Sequence, residues 1–372
     1  MRRRHRPDLP LLLFALILVF IGMMILASVS ASFSRQKTGS TLFFLNHQLL
    51  FGLIPGFFLG AVAYALPLGF LKRLSPFVLL ASLVAMGAVF LPFIGGESGG
   101  AARWIYLGPL SLQPSEPLKL AFILYLAAWL ESRTEKKNSG KEIPGLWQTF
   151  APFLIILGAV ALLLLLQPDM GTLIVLSAIA GIMYFIAKTP LWHTGAMIGA
   201  GVVALLLLIK LVPYRFARLQ VFLDPSHDPL GQGYQIKQAL IAIGSGGIIG
   251  KGLGLSIQKF GFLPEPISDS IFAVFAEEAG FIGASVLVLL FLAFVIRGYM
   301  ISSSIENRFA KLLTCGIISW IAIQAFVNMG ALTGILPLTG IPLPFVSYGG
   351  SALVSELIAM GILLNASRER KT

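Results

Sequence analysis

The sequence predicts an all-α polytopic membrane protein, and its composition and hydrophobic pattern carry that prediction. Of the 372 residues, 57% are hydrophobic and only 12% are charged, and the mean hydropathy is +0.88. Soluble domains have about 25% charged residues, so a soluble fold could not bury this much apolar surface. The apolar runs are continuous and about 20 residues long. Because only helices and closed barrels satisfy their backbone in lipid, and barrel strands alternate, the runs predict helices.

About ten transmembrane helices are expected within one integral-membrane domain that covers 1–372. Proline and glycine residues mark many of their ends, among them Pro67 and Pro76, and Pro55 should kink the second span. No period of 20–50 residues repeats along the chain, so a duplicated or solenoid architecture is not indicated. The predicted spans are 9–31, 45–66, 75–94, 114–131, 148–167, 170–187, 191–212, 269–296, 309–334 and 348–366.

The positive charges predict the orientation of these spans. The net charge of +11 would ordinarily suggest nucleic acid, but the bases lie mostly between the apolar runs, so we expect no nucleic-acid partner. With both termini in the cytoplasm, the inner connections hold well over half of the 27 basic residues. Residues 132–146 then form a cytoplasmic loop and residues 213–268 a large extracytoplasmic loop. The basic inner residues are Arg2, Arg3, Arg4, Arg6, Lys72, Arg73, Arg133, Lys136, Lys137, Lys141, Lys188, Arg297, Arg308, Lys311, Arg368, Arg370 and Lys371.

The loop between the seventh and eighth spans contains a glycine-rich stretch, GSGGIIGKGLG, at 244–254. Loops of this length are more often functional than plain connectors. The stretch is not a P-loop because Gly252 follows Lys251 where that motif needs serine or threonine. Its backbone amides could form a phosphate nest, and the alternative is a flexible re-entrant or interfacial turn.

Charged residues near the outer ends of the spans are the first candidates for chemistry, because charge in a membrane is costly. In SLQPSEPLKL, at 111–120, Glu116 and Lys119 lie three residues apart and share a helix face. One interpretation is a capped helix with a surface ion pair. The other is an anchored cation that faces an anionic substrate, with Arg103 just upstream.

A second charged cluster, LPEPISDSIFAVFAEE, opens the eighth span with Asp269. An aspartate at this position can cap the helix. It can also act as a general base, since partial burial would raise its pKa into a useful range. Glu277 and Glu278 point about 100° apart on a helix, so they cannot share one contact, and we expect structural roles for both.

Metal and thiol chemistry have weaker support in the sequence. Asp224, His227 and Asp228 are better explained as turn residues than as metal ligands. Cys315 is the only cysteine, so a disulfide within the chain is excluded.

Before the last span, PLTGIPLPFVSYGGSAL at 337–353 has several prolines and a glycine pair. Broken backbone of this kind occurs at membrane depth where it is buried or lines a cavity.

Taken together, the conspicuous segments resemble the SEDS family (shape, elongation, division and sporulation proteins) over nearly the whole chain. Within the family, GLGLSIQKFGFLPEP is more similar to the division proteins (FtsW) than to the elongation proteins (RodA). The segments, in family order, are GAARWIYLG, QPSEPLK, QPDMGT, DPLGQGYQ, ALIAIGSGGIIGKGLG, LPEPISDSIFAVFAEE and LPLTGIPLPFVSYGGSAL.

The resemblance implies a peptidoglycan glycosyltransferase, an inverting enzyme that polymerises lipid II at the outer face of the bacterial cytoplasmic membrane during division. It implies a class B penicillin-binding protein as partner, together with other division proteins, the growing glycan strand and membrane lipids. No cofactor is firmly implied, and a divalent cation (Mg²⁺ or Mn²⁺) is left open.

The resemblance also implies roles for individual residues. Asp269 matches the proposed catalytic aspartate, and Arg103 and Lys119 match basic residues that would hold the donor pyrophosphate. Glu116 would orient Lys119. The motif that would shape the cavity floor consists of Ser347, Tyr348, Gly349 and Gly350.

The chain departs from the family pattern around the aspartate, where Ile267 replaces a histidine, Ser268 a threonine and Ser270 a phenylalanine. Ala102 stands where many relatives have arginine or serine. Two other classes therefore stay open: a flippase for the lipid-linked precursor, and a non-catalytic division scaffold. The intramembrane charges lie near the outer end and no inverted halves are visible, which favours surface chemistry over transport.

Overall fold

The structure is a computed structural model that describes residues 6–91, 95–98, 101–108, 110–138, 146–211, 213–224, 227–228 and 231–370. Arg2, Arg3, Arg4, Lys371 and the part of the predicted cytoplasmic loop at 139–145 lie outside these residues. Helices dominate, as the sequence predicts. They are α1 (Leu9–Thr38), α2 (Phe43–Gln48), α3 (Ile54–Ala65), α4 (Leu68–Ala88), α5 (Ser115–Asn138), α6 (Leu146–Leu166), α7 (Met170–Ile186), α8 (Leu191–Leu211), α9 (Pro213–Leu223), α10 (Gln232–Ser245), α11 (Ile271–Ser304), α12 (Arg308–Leu332) and α13 (Gly350–Ala366).

A helix lies at each of the ten predicted spans. Within the described residues, seven helices are long and apolar enough to cross a membrane, and Phe150–Leu166 and Met170–Ile186 are shorter apolar helices. The number of crossings stays a prediction. One predicted boundary is wrong: Pro76 lies inside α4, which begins after Pro67. Lys72 and Arg73 therefore belong to the first turns of a helix and not to a connection. Membrane helices tolerate an internal proline because neighbouring groups satisfy the freed carbonyl.

The second span is irregular at the place where Pro55 predicted a kink. A π-helical turn, Leu49–Leu53, separates α2 from α3. The α3 helix then packs closely on α13, and a Cβ at Gly361 would lie 2.0 Å from the carbonyl oxygen of Gly60. Small residues allow such close approach between membrane helices. The π turn lies beside the start of α13, where the SYGG motif ends, because a Cβ at Gly52 would lie 3.4 Å from the Cα of Gly350.

The connection between α4 and α5 adds a small β-sheet to the predicted helical fold. Among the described residues it holds a three-stranded antiparallel sheet: β1 (Gly95–Ser98), β2 (Ala101–Leu107) and β3 (Leu110–Leu112). Ile105 pairs with Gly95 on one side and with Leu112 on the other. The aromatic and β-branched residues Trp104, Ile105 and Tyr106 suit a strand. This sheet presents Arg103 from its central strand.

The predicted extracytoplasmic loop at 213–268 is more ordered than a loop, because it contains α9 and α10. The glycine-rich stretch follows α10 and packs against α11 at Gly280, where the helix has φ 68° and ψ −169°. Lys251 and Gly252 donate their amides to the carbonyls of Glu277 and Glu278, both at 3.0 Å. These amides satisfy carbonyls that the kink leaves unpaired, so they are not open to form a phosphate nest.

Two buried carboxylates hold the same stretch in place. Glu277 accepts from Lys251 at 2.6 Å, and Glu278 forms an ion pair with Lys259 at 2.9 Å. Glu278 also accepts from Ser28 of α1 at 2.7 Å. The predicted structural roles of Glu277 and Glu278 agree with these contacts. The interpretation of a re-entrant turn fits better than that of a phosphate site.

The two ends of the chain meet at the opposite end of α11 from Asp269. Asp8 is buried and forms ion pairs with Arg297 at 2.6 Å and with Arg370. Its backbone amide donates to Ser367. The start of α1 and the end of α13 therefore lie at the same side of the molecule. This arrangement requires an even number of crossings, as the predicted orientation does.

Candidate active site

Asp269 lies in the tight turn that leads into α11. The helix N-cap is Ser270, which makes no side-chain capping bond. Asp269 is therefore not the N-cap of α11, and the interpretation of this aspartate as a helix cap is wrong. Pro264 and Pro266 flank Glu265, which has a φ of 49°. A positive φ costs energy for a residue with a Cβ, so the surrounding contacts force this backbone to turn sharply just before Asp269.

The environment of Asp269 perturbs its titration. Burial, and after it the negative charge of Glu265, raise the pKa of Asp269 to about 6 from its ordinary value of 3.8. Hydrogen bonds from Gln235 and Ser268 oppose this rise by favouring the ionised form. A carboxylate with such a pKa is ionised at neutral pH and is a stronger base than an exposed aspartate.

One face of α12 holds the backbone around Asp269. Asn328 donates to the carbonyl of Asp269 and to that of Ile341, both at 2.8 Å. One turn earlier, Gln324 donates to the carbonyl of Pro342 at 3.0 Å. Both side chains are buried. The α12 helix therefore joins the turn that carries Asp269 to the proline-rich segment before α13.

The Glu116–Lys119 pair is buried, which corrects the expectation of a surface ion pair. Its side chains are only 2% and 1% exposed, and Lys119 Nζ lies 2.9 Å from a Glu116 oxygen. Lys119 also donates to Gln324 Oε1 at 2.7 Å and lies 5.1 Å from the centre of the Trp320 ring. Two of the three ammonium protons thus have protein acceptors, so a pyrophosphate could reach Lys119 only if Glu116 or Gln324 moved.

A further carboxylate, Glu356 of α13, lies close enough to this pair to interact with its charges. Glu356 accepts from the backbone amide of Phe345 at 2.7 Å. Phe345 has a φ of 63°, and its carbonyl oxygen would lie 2.4 Å from a Cβ at Gly22. The buried carboxylate therefore stabilises a strained turn that packs against α1.

The SYGG motif binds directly to the turn that carries Asp269. Ser347 Oγ donates to the carbonyl of Ser268, and the amide of Tyr348 donates to the carbonyl of Ile267 at 2.9 Å. Gly340, earlier in the same segment, has a φ of 70°, and a Cβ there would lie 3.7 Å from Asp269 Oδ2. The structure thus brings the SYGG motif into direct contact with the turn that carries Asp269.

Two residues beside the π-helical turn support the motif from the other side. The Gln48 side chain donates to the carbonyl of Ser347 at 3.4 Å and accepts from the amide of Gly349 at 3.1 Å. The Tyr348 hydroxyl lies 3.0 Å from His47 Nδ1. Gly350 begins α13, and the backbone of α2–α3 at Phe51 approaches it closely. π-Helical turns are frequent at functional sites.

Arg103 lies at the same end of the molecule but uses part of its guanidinium for structure. Its Nε donates to the carbonyl of Gln167 at 3.0 Å, and its Nη2 donates to that of Pro168. It therefore satisfies carbonyls at the end of α6. Asp169 then caps α7, and Gly171 packs against Thr339 and Ile341. Arg103 is half-exposed, and it joins the proline-rich segment through this α6–α7 turn.

Gln324, Asn328, Gln48 and Gln235 are residues that sequence reasoning missed. A signal for two of them was present, because Gln324 and Asn328 lie four residues apart in a predicted span and so share one helix face. Buried polar groups in a membrane span need partners, which makes such a pair a candidate for positioning a site. Gln235 ends the segment DPLGQGYQ, but no role was predicted for it. Nothing local in the sequence identified Gln48, whose partners lie far away along the chain.

Among the described residues, no group of three or more histidine, cysteine, aspartate or glutamate side chains is placed to hold a metal ion.

Comparison with known protein families shows which family the chain belongs to. The model of the FtsW, RodA and SpoVE family, described as cell cycle protein, matches residues 9–372. The chain belongs to this family. The family predicted from the sequence motifs is thereby confirmed.

Named relatives of the family are similar over almost the full chain. Stage V sporulation protein E of Bacillus subtilis (strain 168) is 39% identical over 371 residues, which cover 98% of each chain. The probable peptidoglycan glycosyltransferase FtsW of Thioalkalivibrio sulfidiphilus is 38% identical, and the match covers 99% of this chain and 91% of the relative. A second FtsW, from Geobacter sp. (strain M18), is 39% identical.

Solved structures give the same result for the fold. A chain of a peptidoglycan synthase complex, described as coordinating polymerisation and crosslinking, superposes with a TM-score of 0.78 at 32% identity and 98% coverage of both chains. The rod shape determining protein RodA of Thermus thermophilus superposes with a TM-score of 0.72 at 27% identity, with 98% of both chains covered. The predicted polytopic helical fold and the predicted kind of activity agree with these relatives.

Proposed function

We propose that this family member polymerises lipid II into glycan strands, with Asp269 as the general base. The observation that carries the proposal is the placement of Asp269. It caps no helix, its pKa is raised to about 6, and Asn328 and Ser347 bind the turn on either side of it. A partly buried carboxylate that caps no helix, at the end of a membrane helix, is typical of a catalytic group.

The reaction needs one base and no acid. Asp269 takes the proton from the 4-hydroxyl of the acceptor N-acetylglucosamine as that oxygen attacks the anomeric carbon of the donor. The bond from this carbon to the lipid pyrophosphate breaks, and the pyrophosphate leaves with both bonding electrons. Because the attack comes from the face opposite the leaving group, the anomeric configuration inverts. Only one protein carboxylate is required.

Arg103 and Lys119 supply positive charge for the donor pyrophosphate in this proposal. Arg103 is half-exposed and has N–H groups beyond those that bind Gln167 and Pro168, so it can contact a phosphate directly. Lys119 is buried against Glu116 and Gln324, and it therefore acts through the local electric field unless the pair opens. Glu116 orients the ammonium, as expected from the sequence.

Ser347, Tyr348, Gly349 and Gly350 form the floor of the proposed site. Their support of the Asp269 turn fits that role, since a general base must be held within hydrogen-bond reach of its substrate. Ile267, which replaces the histidine of the family pattern, is buried and offers its carbonyl to Tyr348.

We propose an outward-facing site on the bacterial cytoplasmic membrane, with both termini in the cytoplasm. A class B penicillin-binding protein would be the partner, together with other division proteins. The basic residues in the predicted inner connections support this orientation. The contact of Asp8 with Arg370 supports it too, because it places the start of α1 and the end of α13 on the same side of the molecule. The similarity to FtsW and SpoVE supports a role in glycan synthesis at a division septum or during sporulation more than a role in cell elongation.

The decisive experiment is a polymerisation assay on the purified protein with labelled lipid II, with and without the penicillin-binding partner. Glycan strands that grow in either condition support the enzyme. A protein that moves lipid II across vesicle membranes but makes no strand in either condition is a flippase, and the proposal then fails. The same assay with a chelator tests the need for Mg²⁺ or Mn²⁺.

A further inference from the structure

A basic and aromatic cavity opens between α4 and α5, far from Asp269. Its volume is about 560 Å³, and its lining includes Lys72, Arg73 and Pro76 from α4, and Tyr125 and Trp129 from α5. Trp129 lies about 20 Å further along α5 than Glu116, at 1.5 Å per residue. The cavity is therefore in the opposite half of the membrane from the candidate active site, and none of the proposed chemistry uses it.

The charges around the cavity are positive in sum. Arg73 is exposed, Lys72 forms an ion pair with the buried carboxylate of Glu131, and the Arg133 guanidinium lies 5.5 Å from the centre of the Trp129 ring. Among the side chains that the structure describes at this end of α4 and α5, three cations thus accompany one carboxylate. Tyr125 and Trp129 also line the cavity, and each carries a hydrogen-bond donor, a hydroxyl and an indole N–H respectively. This set suits a phosphate ester, which accepts several hydrogen bonds at once.

An exposed apolar stripe continues from the cavity toward the middle of the membrane. Leu80 and Val84 are 60% and 64% exposed, and they follow Arg73 and Pro76 on the same face of α4. A free phosphate would fill only the polar end of the cavity, whereas the stripe faces the acyl chains of the bilayer. A phospholipid fits both parts, because its charged head and its acyl chain are joined in the same order.

We propose that the cavity between α4 and α5 binds an anionic phospholipid, with the phosphate at Arg73 and Lys72 and an acyl chain along Leu80 and Val84. Basic pockets between membrane helices on the cytoplasmic side are known to accept such headgroups. In the orientation proposed above, the lipid belongs to the inner leaflet. Binding at this site is independent of the glycosyltransferase chemistry, so either proposal can fail without the other.

Native mass spectrometry of the full-length protein in detergent, titrated with phosphatidylglycerol, tests the proposal. Arg73→Gln should weaken binding of the first lipid about tenfold, the effect of one lost charge-assisted contact. Arg73→Lys keeps the charge and should bind within about threefold of wild type. The matched control is Arg308→Gln, which removes an exposed arginine at the same end of the molecule and should leave the affinity unchanged.

Two other ligands separate the possible sources of binding. Phosphatidylethanolamine shares the chains but has no net charge, and glycerol 3-phosphate shares the phosphate but has no chain. Both should bind at least about tenfold more weakly than phosphatidylglycerol. The proposal is overturned if either binds as well as phosphatidylglycerol, if Arg73→Gln binds like wild type, or if Arg308→Gln loses as much affinity as Arg73→Gln.

Discussion

The side-chain amide of Asn328 donates to the backbone carbonyl of Asp269 at 2.8 Å, and this bond attaches the candidate base to the interior of the molecule. The same amide also binds the carbonyl of Ile341. One turn away, Gln324 accepts from Lys119. A single face of α12 therefore sets the position of Asp269 relative to both the proline-rich segment and the buried cation.

The bond from Asn328 predicts a loss of activity when this side chain is replaced by leucine. Asn328→Leu leaves two carbonyls unpaired, at about 1–3 kcal/mol for each buried group, and releases the Asp269 turn. We expect polymerisation of lipid II to fall at least about tenfold per folded molecule. The rate is measured on labelled lipid II after the folded fraction has been determined by thermal unfolding.

Asn365→Leu is the matched control for this variant. Asn365 is buried, and its amide also binds two carbonyls, those of Leu66 and Ala63, but it lies at the far end of α13. Its replacement should lower the melting temperature and leave the rate per folded molecule unchanged. Equal losses of rate in the two variants would show that Asn328 contributes stability alone.

The buried pair of Glu116 and Lys119 predicts a double-mutant result. Glu116→Gln or Lys119→Met leaves one charge buried without its partner, which costs about 3–5 kcal/mol. The double variant removes both charges and should regain most of the lost stability. We expect its polymerisation rate to stay low, because the Lys119 ammonium that would contact the donor pyrophosphate when the pair opens is gone. If the double variant recovered both its melting temperature and its polymerisation rate, the pair would have a structural role only.

The raised pKa of Asp269 predicts the acid limb of the pH profile. As a base, Asp269 must be ionised, so kcat/KM should fall about tenfold per pH unit below a pH of about 6. Glu265→Gln removes the neighbouring charge that helps to raise the pKa. Its acid limb should therefore move to lower pH. A profile that is the same in both proteins would contradict the assignment.

The proposed orientation predicts which side of the membrane each connection faces. Cys315 is the only cysteine and is buried, so labelling of the wild type should be weak. In a Cys315→Ser background, Ser40→Cys between α1 and α2 should react in intact cells with a maleimide that cannot cross membranes. Lys188→Cys between α7 and α8 should react only after the membrane is opened. The opposite pattern would place Asp269 at the cytoplasmic face.

Local sequence patterns predicted the parts of the site that local forces determine. The spacing of Glu116 and Lys119 placed both on one helix face, and the structure pairs them. Their burial was not predictable, because it depends on Gln324, which packs from another helix. The pairing of the glycine-rich stretch with the carbonyls of Glu277 and Glu278 was missed for the same reason.

Asp269 shows a second limit of local reasoning. An aspartate one or two residues before a helix is ordinarily its N-cap. Here the positive φ of Glu265 and the contacts with Ser347 and Tyr348 rotate the turn, so Ser270 takes the N-cap position. Residues about 80 positions away thus decide how Asp269 is used. The sheet at 95–112 was missed because short strands in a connection give only a weak signal.

The central claim is that Asp269 is the general base, and the rate of lipid II polymerisation by Asp269→Asn tests it most directly. The matched control is Asp169→Asn, the same substitution at a buried aspartate at the same end of the molecule. Asn also caps helices, so Asp169→Asn should keep nearly the wild-type rate. Asp269→Asn should lose at least about a hundredfold. Its melting temperature above pH 6 should be equal or higher, because ionising a carboxyl with a raised pKa costs stability there. A folded Asp269→Asn protein that polymerises at the wild-type rate would contradict the account.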